Sequence, residues 1–293
     1  MPIVNFGSLN IDDVYTVDHI VRPGETLAAQ AYTLFPGGKG NNQSIALGRA
    51  GAQAAHVGKV GADGLGLLTL LDQAGVDTSR ILRSEGPTGR AIIQVDAQGQ
   101  NSIVLFPGAN KQLTDSDLRT ALDACRPEDI VLTQNEISGV SFLLAEAARR
   151  GLKTAFNPAP MGPEVLGYPL DDLGLLVVNE TEAEALAGRP GTPDQLLDAL
   201  AGRYPRTEVI LTLGGDGVVY RSSAEGTIRV PGQRVKVVDT TAAGDTFLGF
   251  YLAARQKGLT VRQALEAGNR AAALAVTRPG AASSIPFWNE LGV

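Results

Sequence analysis

The 293-residue sequence predicts an α/β fold, with a mainly parallel sheet covered by helices on both faces and a small second sheet attached to it. Three observations predict it. Over the C-terminal two-thirds, extended apolar runs alternate with helical spacing, the pattern of a parallel sheet between two helix layers. Two earlier amphipathic segments, at about 11–35 and 88–106, lack such helices and read as a separate sheet with one free face. The 35 glycines cluster in "FPGGKG", "VGKVGADGLG", "TLGGDG" and "AAGD". Each cluster lies where a strand pattern gives way to a helix pattern, which is where α/β proteins bring backbone amides up to a ligand.

Taken in order, "PIVNFGSLNIDDVYTV" opens as a strand that continues past a polar interruption at Asn10–Asp12. Residues 24–35 read as extended. Residues 39–52 have helical spacing at Ile45, Leu47 and Ala50 and stop at Gly51. "AAHVGKVG" is a short strand, and 63–75 is a helix ending at Gly75. Residues 89–110 form a hairpin around "DAQGQ". The alternation then becomes regular. "DIVLTQ", "KTAFNPAP", "LGLLVVN" and "EVILTLGGDG" are strands, and "VSFLLAEAARRG", "ETEAEALAG" and "TPDQLLDALAGRYP" are helices. "GVVYRS" and "TIRVPG" form a hairpin, and two C-terminal helices follow. The expected division is a core of 1–10, 36–87 and 107–293, with a discontinuous lid of 11–35 and 88–106.

Composition bounds the function. With 44% hydrophobic and 19% charged residues the chain is ordinary for a soluble protein. A net charge of −6 and a pI near 5.1 argue against a nucleic-acid or anionic-membrane partner. No apolar run is long enough to cross a bilayer, and the N-terminus lacks a signal-type segment, so a cytoplasmic location is expected. The single cysteine, Cys125, reads as a small hydrophobe rather than a nucleophile. His19 and His56 are too few for a His-rich metal site and read as structural.

In "DTTAAGDTFLGF" (239–250), Asp245 begins a helix-like run. From this segment alone, a helix cap explains it. A cap does not explain the small residues Ala242, Ala243 and Gly244, which leave the amides of a helix mouth open to an anion. An aspartate there could take the proton of an attacking hydroxyl while the amides hold the charge. "PGGKGNNQ" (36–43) is a flexible turn or a ligand loop. It lacks the G-x-x-x-x-G-K-[ST] spacing of a P-loop, and no G-x-G-x-x-G follows the first strand. Lys39, Asn41, Asn42 and Gln43 beside glycines suit a polyhydroxylated ligand. Asn10 and Asp12 share a strand face and read either as a solvated loop edge or as a sugar-diol site. In "VVNETEAEAL" (177–186), Asn179 and Glu182 have the spacing of a capped helix start or of a pair orienting hydrated Mg²⁺ with phosphates. "LTLGGDGVV" (211–219) is a hairpin turn or a nucleotide loop.

Together these motifs resemble the ribokinase family of carbohydrate kinases, and the resemblance runs through the whole chain. It is carried by "GSLNIDD", "GETL", "GGKGNNQSIALGRAGA", "TGRAIIQVD", "NPAP", "NETEAE", "LTLGGDG", "VPGQRVKVVDTTAAGDTF" and "AVTRPGAASSIP". It implies a ribokinase-like three-layer α/β/α fold with a small β-sheet lid, and transfer of the γ-phosphoryl group of ATP to a sugar hydroxyl. It implies Asp245 as catalytic base, with an anion hole at Ala242, Ala243 and Gly244. Asn10, Asp12, Gly38, Lys39, Gly40, Asn41, Asn42, Glu136 and Asp245 itself would hold the sugar. Asn179, Thr212, Leu213, Gly214, Gly215, Asp216, Gly217, Gly244 and Asn269 would line the ATP site, with Glu182 in the Mg²⁺ network. A monovalent cation, K⁺, would sit by Asp239, Thr241, Ala275, Arg278, Gly280 and Ser284, several through carbonyls. For Asp239 an Asx turn is the alternative. A homodimer through the lid sheet is expected.

The chain departs from the family pattern at Asn41, where a small Ala is usual, and at Asn269, where His is frequent. Members acting on phosphorylated sugars carry an arginine where this chain has Gly89, and Arg90 is offset to the other strand face. "GGKG-N-Q" favours D-ribose, phosphorylated at O5 to ribose 5-phosphate. The rivals are a different sugar, a nucleoside such as pseudouridine, a sugar phosphate, and a non-catalytic sugar-binding regulator on the same fold.

Overall fold

The computed structural model describes residues 2–292. Strand β1 (Ile3–Phe6) is fully buried in the central sheet. At Gly7–Leu9 the chain leaves that sheet and enters a second one as β2 (Asn10–Thr16), returning as β3 (Ala31–Gly37). The single N-terminal strand expected from sequence is therefore two strands in two sheets. The extended segment expected at 24–35 is strand only from Ala31, after a turn in which the Glu25 amide donates to the Arg22 carbonyl (3.0 Å). Helix α1 (Lys39–Arg49) explains the switch between sheets. A Cβ on Gly7 would stand 2.6 Å from the Gly40 Cα, so the chain passes directly under the helix start and cannot run straight on.

Next come β4 (Ala54–Val60), α2 (Leu65–Gln73), and two short strands, β5 (Val76–Asp77) and β6 (Ile81–Arg83). These two strands are absent from the sequence reading because so few residues carry no period. The β7 (Gly89–Val95) and β8 (Asn101–Phe106) hairpin is where expected. Helix α3 (Asp115–Asp123) was not read, although Thr114 and Asp117 form the capping box that announces it. Thereafter β9 (Ile130–Gln134), α4 (Val140–Arg149), β10 (Lys153–Asn157), β11 (Leu175–Asn179), α5 (Glu180–Ala187), α6 (Pro193–Arg203), β12 (Glu208–Thr212), β13 (Gly217–Ser222), β14 (Gly226–Pro231), α7 (Ala243–Gln256) and α8 (Val261–Ala275) follow the expected alternation.

The large sheet has the order β14-β13-β12-β11-β10-β9-β1-β4-β5, with β6 also beside β4. Neighbouring strands are parallel from β12 to β5, and β13 alone is reversed, pairing antiparallel with β12 on one side and β14 on the other. Alternate residues feed two cores. Ile3, Leu132, Val177 and Ile210 pack under α1, α2, α7 and α8. Val4, Val131, Phe156 and Leu211 pack under α3 to α6. Burial on both faces is why these strands read as unbroken apolar runs.

The small sheet has the order β3-β2-β7-β8. One face carries Asn10 and Asp12. The other carries Asp13, Leu34, Ile92 and Val104, which are cross-strand neighbours in register. On this outer face Tyr32, Leu34, Ile92, Val104 and Phe106 are exposed.

Candidate active site

Strands β1, β9, β10, β11 and β12 all end at one edge of the large sheet, and α1, α5 and α7 begin there. Open α/β sheets bind ligands at this edge, because loops leave it and helix amides point into it. A cavity of about 220 Å³ opens here, walled by Lys39, Asn157, Asn179, Glu182, Thr212 and the 242–245 turn among others.

The mouth of α7 is unusual. Its N-cap is Ala242, not Asp245, and Ala242 has φ 61°, ψ 12°. Among the described residues it is the only non-glycine with positive φ. A left-handed alanine costs about 1 kcal/mol, and such strain concentrates where a turn must aim backbone groups. No side chain caps the helix, and among the described residues no protein acceptor meets the Gly244 or Asp245 amide. The cap expected from the isolated segment is thus corrected. Asp245 lies in the first turn, is 7% exposed, and turns its carboxylate toward α1. Oδ2 accepts from Asn42 Nδ2 (3.1 Å) and Oδ1 from Gln43 Nε2 (2.9 Å).

The mouth of α5 is built the opposite way. Asn179 Oδ1 accepts from the Glu182 amide (2.8 Å), and Glu182 Oε2 accepts from the Asn179 amide (3.0 Å). The N-x-x-E spacing is therefore a capping box. Both residues also face the cavity, and burial raises the Glu182 pKa above the usual carboxylate range.

On the side of the small sheet, Glu136 Oε2 accepts from Ser8 Oγ and from the Lys39 amide (2.9 Å), while burial raises its pKa. The Asp12 pKa rises to about 7, chiefly through burial and then through the negative charges of Glu136 and Asp13. Lys39 is pushed upward by Asp245 first, and further by Glu136 and Glu182. Its ammonium thus stands among three acids. Asn10 Oδ1 accepts from Asn110 Nδ2 (2.7 Å), and Asn110 is itself held by the Leu9 backbone. A second cavity of about 270 Å³ adjoins these groups, with Asn10, Leu105, Lys111, Glu136 and Met161 in its wall.

Other expected residues lie as follows. Asn41 is fully buried, with neither side-chain polar atom partnered, and lines neither cavity. Leu213 to Gly217 make a tight turn closed by the Leu213 amide on the Gly217 carbonyl (2.8 Å), and none of them lines the first cavity, which only the preceding Thr212 reaches. Asn269 Nδ2 ties α8 to the Val230 and Pro231 carbonyls, each at 3.3 Å. Asp239 accepts from the Thr241 amide (2.9 Å) and hydroxyl (2.6 Å), the Asx turn, and also from the Gly280 amide (2.9 Å). It therefore joins two loops. Ala275 and Arg278 share one turn, and Ser284 bonds to the Ala281 carbonyl. Arg90, on the outer strand face as expected, bridges Asp13 and Asp63. Cys125 is half-buried beside the core, and His56 is fully buried.

Sequence reasoning missed Ser8, Asn110, Gln134 and Asn157. Gln134 and Asn157 each end an apolar strand with a polar residue, the same signal that pointed to Asn179.

Comparison with known proteins agrees with this geometry. The model of the pfkB family carbohydrate kinases matches residues 2–288. Ribokinase of Staphylococcus aureus is 37% identical, over 99% of this chain and 98% of that protein. Ribokinase of Haemophilus influenzae is 38% identical, over 97% and 95%. Among solved structures, ribokinase from Cryptococcus neoformans in complex with ADP superposes with a TM-score of 0.87 at 32% identity, covering 99% of this chain and 98% of that one. Arabidopsis thaliana ribokinase complexed with ribose and ATP does so with 0.85 at 29% identity, covering 99% and 97%. The chain belongs to the pfkB family of carbohydrate kinases, and its fold is the ribokinase fold.

Proposed function

We propose that the protein transfers the γ-phosphoryl group of ATP to O5 of D-ribose, giving D-ribose 5-phosphate and ADP. The observation that carries this reading is the α7 mouth, where open amides and a carboxylate pinned by two donors stand between a polar sheet face and a second helix mouth. In-line phosphoryl transfer needs a positioned hydroxyl, a group to take its proton, and charge neutralisation. Asp245 takes the proton, and the amides of the Ala242–Gly244 turn hold the developing charge, with Gly244 open and Ala243 held only by the Thr240 carbonyl at 3.3 Å. Asn10, Asp12, Gly38, Lys39, Gly40, Asn42 and Glu136 hold the sugar. Asn41 is left out of this set because its side chain is 0% exposed and neither of its polar atoms has a partner. Asn179, Thr212, the 213–217 turn, Gly244 and Asn269 hold ATP.

Glu182 keeps one carboxylate oxygen outside its capping box, which suits it to a hydrated Mg²⁺ on the phosphates. The loop pair joined by Asp239 suits K⁺, with carbonyl and carboxylate oxygens as ligands. The small sheet is the lid, inserted at 11–35 and 88–106, and it excludes water from the reacting phosphate. Its exposed outer face supports a homodimer. Among the described residues no helix is long and apolar enough to cross a membrane, and we place the activity in the cytoplasm.

Gly89 favours an unphosphorylated acceptor. A Cβ there would collide with Asn10 Oδ1 and Asn110 Nδ2, so an arginine could be seated only by displacing the side-chain pair that places Asn10. Arg90 is already committed to Asp13 and Asp63. The test is coupled turnover with ribose, 2-deoxyribose, fructose, pseudouridine and fructose 6-phosphate, in K⁺ and in Na⁺. The highest kcat/KM with ribose in K⁺ is expected. A preference for fructose 6-phosphate or pseudouridine would overturn the assignment, and equal rates in both salts would remove the cation site.

A further inference from the structure

Behind Asp245 lies a chain of polar side chains in the interior, of which the proposed chemistry uses only the Gln43 donor. Gln43 Nε2 donates to Asp245 Oδ1 (2.9 Å) and more weakly to Asn157 Oδ1 (3.3 Å). Gln43 Oε1 accepts from Gln134 Nε2 (2.6 Å), which also donates to Asn5 Oδ1 (2.9 Å). Asn5 Nδ2 donates to Ser44 Oγ and to the Gly40 carbonyl, both at 2.8 Å. Ser44 Oγ meets His56 Nδ1 (2.8 Å), and His56 Nε2 meets the Gly7 carbonyl (3.1 Å). Asn5, Gln43, Ser44 and His56 are 0% exposed and Gln134 is 1% exposed.

The polarity of this chain is forced from both ends. The Gly7 carbonyl can only accept, so His56 Nε2 carries the proton and Nδ1 accepts from Ser44. An ionised Asp245 carboxylate can only accept, so Gln43 must present its amide NH₂ there. Gln134 then donates in both directions, and its own Oε1 is left buried without a partner. Turning Gln134 over would set its oxygen against two other oxygens, so the orphan acceptor marks an orientation imposed by its neighbours. Burial lowers the His56 pKa to about 4, which keeps the anchor neutral at ordinary pH. Helix packing brings the two ends together, since a side chain on Gly249 of α7 would collide with Ala46 of α1.

We propose that Gln43 and Gln134 are positioning residues for the Asp245 carboxylate, held in a single orientation by the buried chain that ends at His56. This rests on Asp245 being the base. Gln43 holds Oδ1, and Gln134 acts only through Gln43. Lys39, Glu136 and Glu182 are the charged groups that also act on Asp245. None of them belongs to the chain.

The test is a double-mutant cycle with Gln43→Met and Gln134→Met, reading kcat and sugar KM. Gln43→Met should lower kcat roughly 10- to 100-fold, the rate equivalent of one charge-assisted hydrogen bond, with KM changed less than about threefold. Gln134→Met should lower kcat by less, and the double variant should match Gln43→Met within about twofold. Unchanged kcat in Gln43→Met, effects that multiply in the double variant, or a raised KM with intact kcat would each overturn the proposal. Should Gln43→Met not fold, Gln43→Leu removes the donor without adding a charge. It must lower kcat likewise, and unchanged kcat there overturns the proposal too. Asp245→Asn in the same assay separates the two failures. If it keeps its kcat, the base assignment is wrong. If it loses kcat while the glutamine variants do not, only the positioning role is wrong.

Discussion

Helices α5 and α7 open on the same cavity and both carry an acid in the first turn, yet they use it differently. In α5 the acid closes a capping box with Asn179, so the helix satisfies its own amides. In α7 no side chain caps the helix, the cap residue is a left-handed alanine, and Asp245 is handed to the amides of α1. A capped mouth is a stability device. An uncapped mouth leaves donors unspent and gives up local stability for preorganisation. The same residue class at the same helix position therefore does two jobs, decided by whether its partners are local or distant.

Four measurements would break or sharpen this contrast, the largest effect first. Asp245→Asn should lower kcat by roughly 10²- to 10⁴-fold, the range for losing a general base, while the circular dichroism spectrum and sugar binding by calorimetry stay near wild type. Retained turnover would leave the α7 mouth as a packing feature only.

Asp12 makes the second comparison, because among the described residues no side-chain donor offsets its burial. With its pKa raised to about 7 from 3.8, the folded protein holds a proton that the unfolded chain releases between those values. Stability should therefore fall as pH rises from about 4 to 7. In Asp12→Asn this contribution should be absent. Denaturant melts of both proteins at the two ends of that window, without sugar, read the difference, and parallel pH slopes would refute it.

Removing the α5 cap is the third. Asn179→Ala should lower the unfolding free energy by about 1 kcal/mol, read from urea melts. A loss near zero would mean that the box is not holding the helix. The smallest effect has the opposite sign. Ala242→Gly relieves the left-handed alanine but adds backbone freedom to the unfolded chain, for a net gain of about 0.5 kcal/mol. A clear loss of stability would show that the turn is not strained.

What could be read from sequence follows the range of each interaction. The strand and helix alternation, the hairpin expected at 89–110 and found at 89–106, and the α5 mouth were legible because they depend on residues within a few positions of one another. "NETE" announced both a cap and a ligand site, and the structure builds the cap. The run "DTTAAGD" was legible as a helix mouth but misassigned its cap to Asp245, since a left-handed Ala242 is improbable on local grounds. A core–lid boundary at 10/11 was legible, but the end of the strand at Gly7–Leu9 was not, because it comes from α1 crossing over Gly7. Asn41 looked like a ligand residue from its neighbours in "GGKGNNQ". Once α1 is wound, successive residues face different ways, and Asn41 faces inward.

By itself, then, the sequence determined the layered α/β fold, the family, and the glycine-rich strand ends where a phosphoryl-transfer site would form. These are properties of short-range pattern, and hydrophobic period and turn chemistry carry them. Only the tertiary structure decided which polar groups meet. Gln43 and Asp245 lie 202 positions apart, and Ser8 and Glu136 lie 128 apart. Their contacts exist because α1 and α7 pack closely at Gly249 and because β1 and β9 are neighbours in the sheet. A hydrogen bond is set by the distance and direction between two atoms, and those are fixed only when the whole core closes around them.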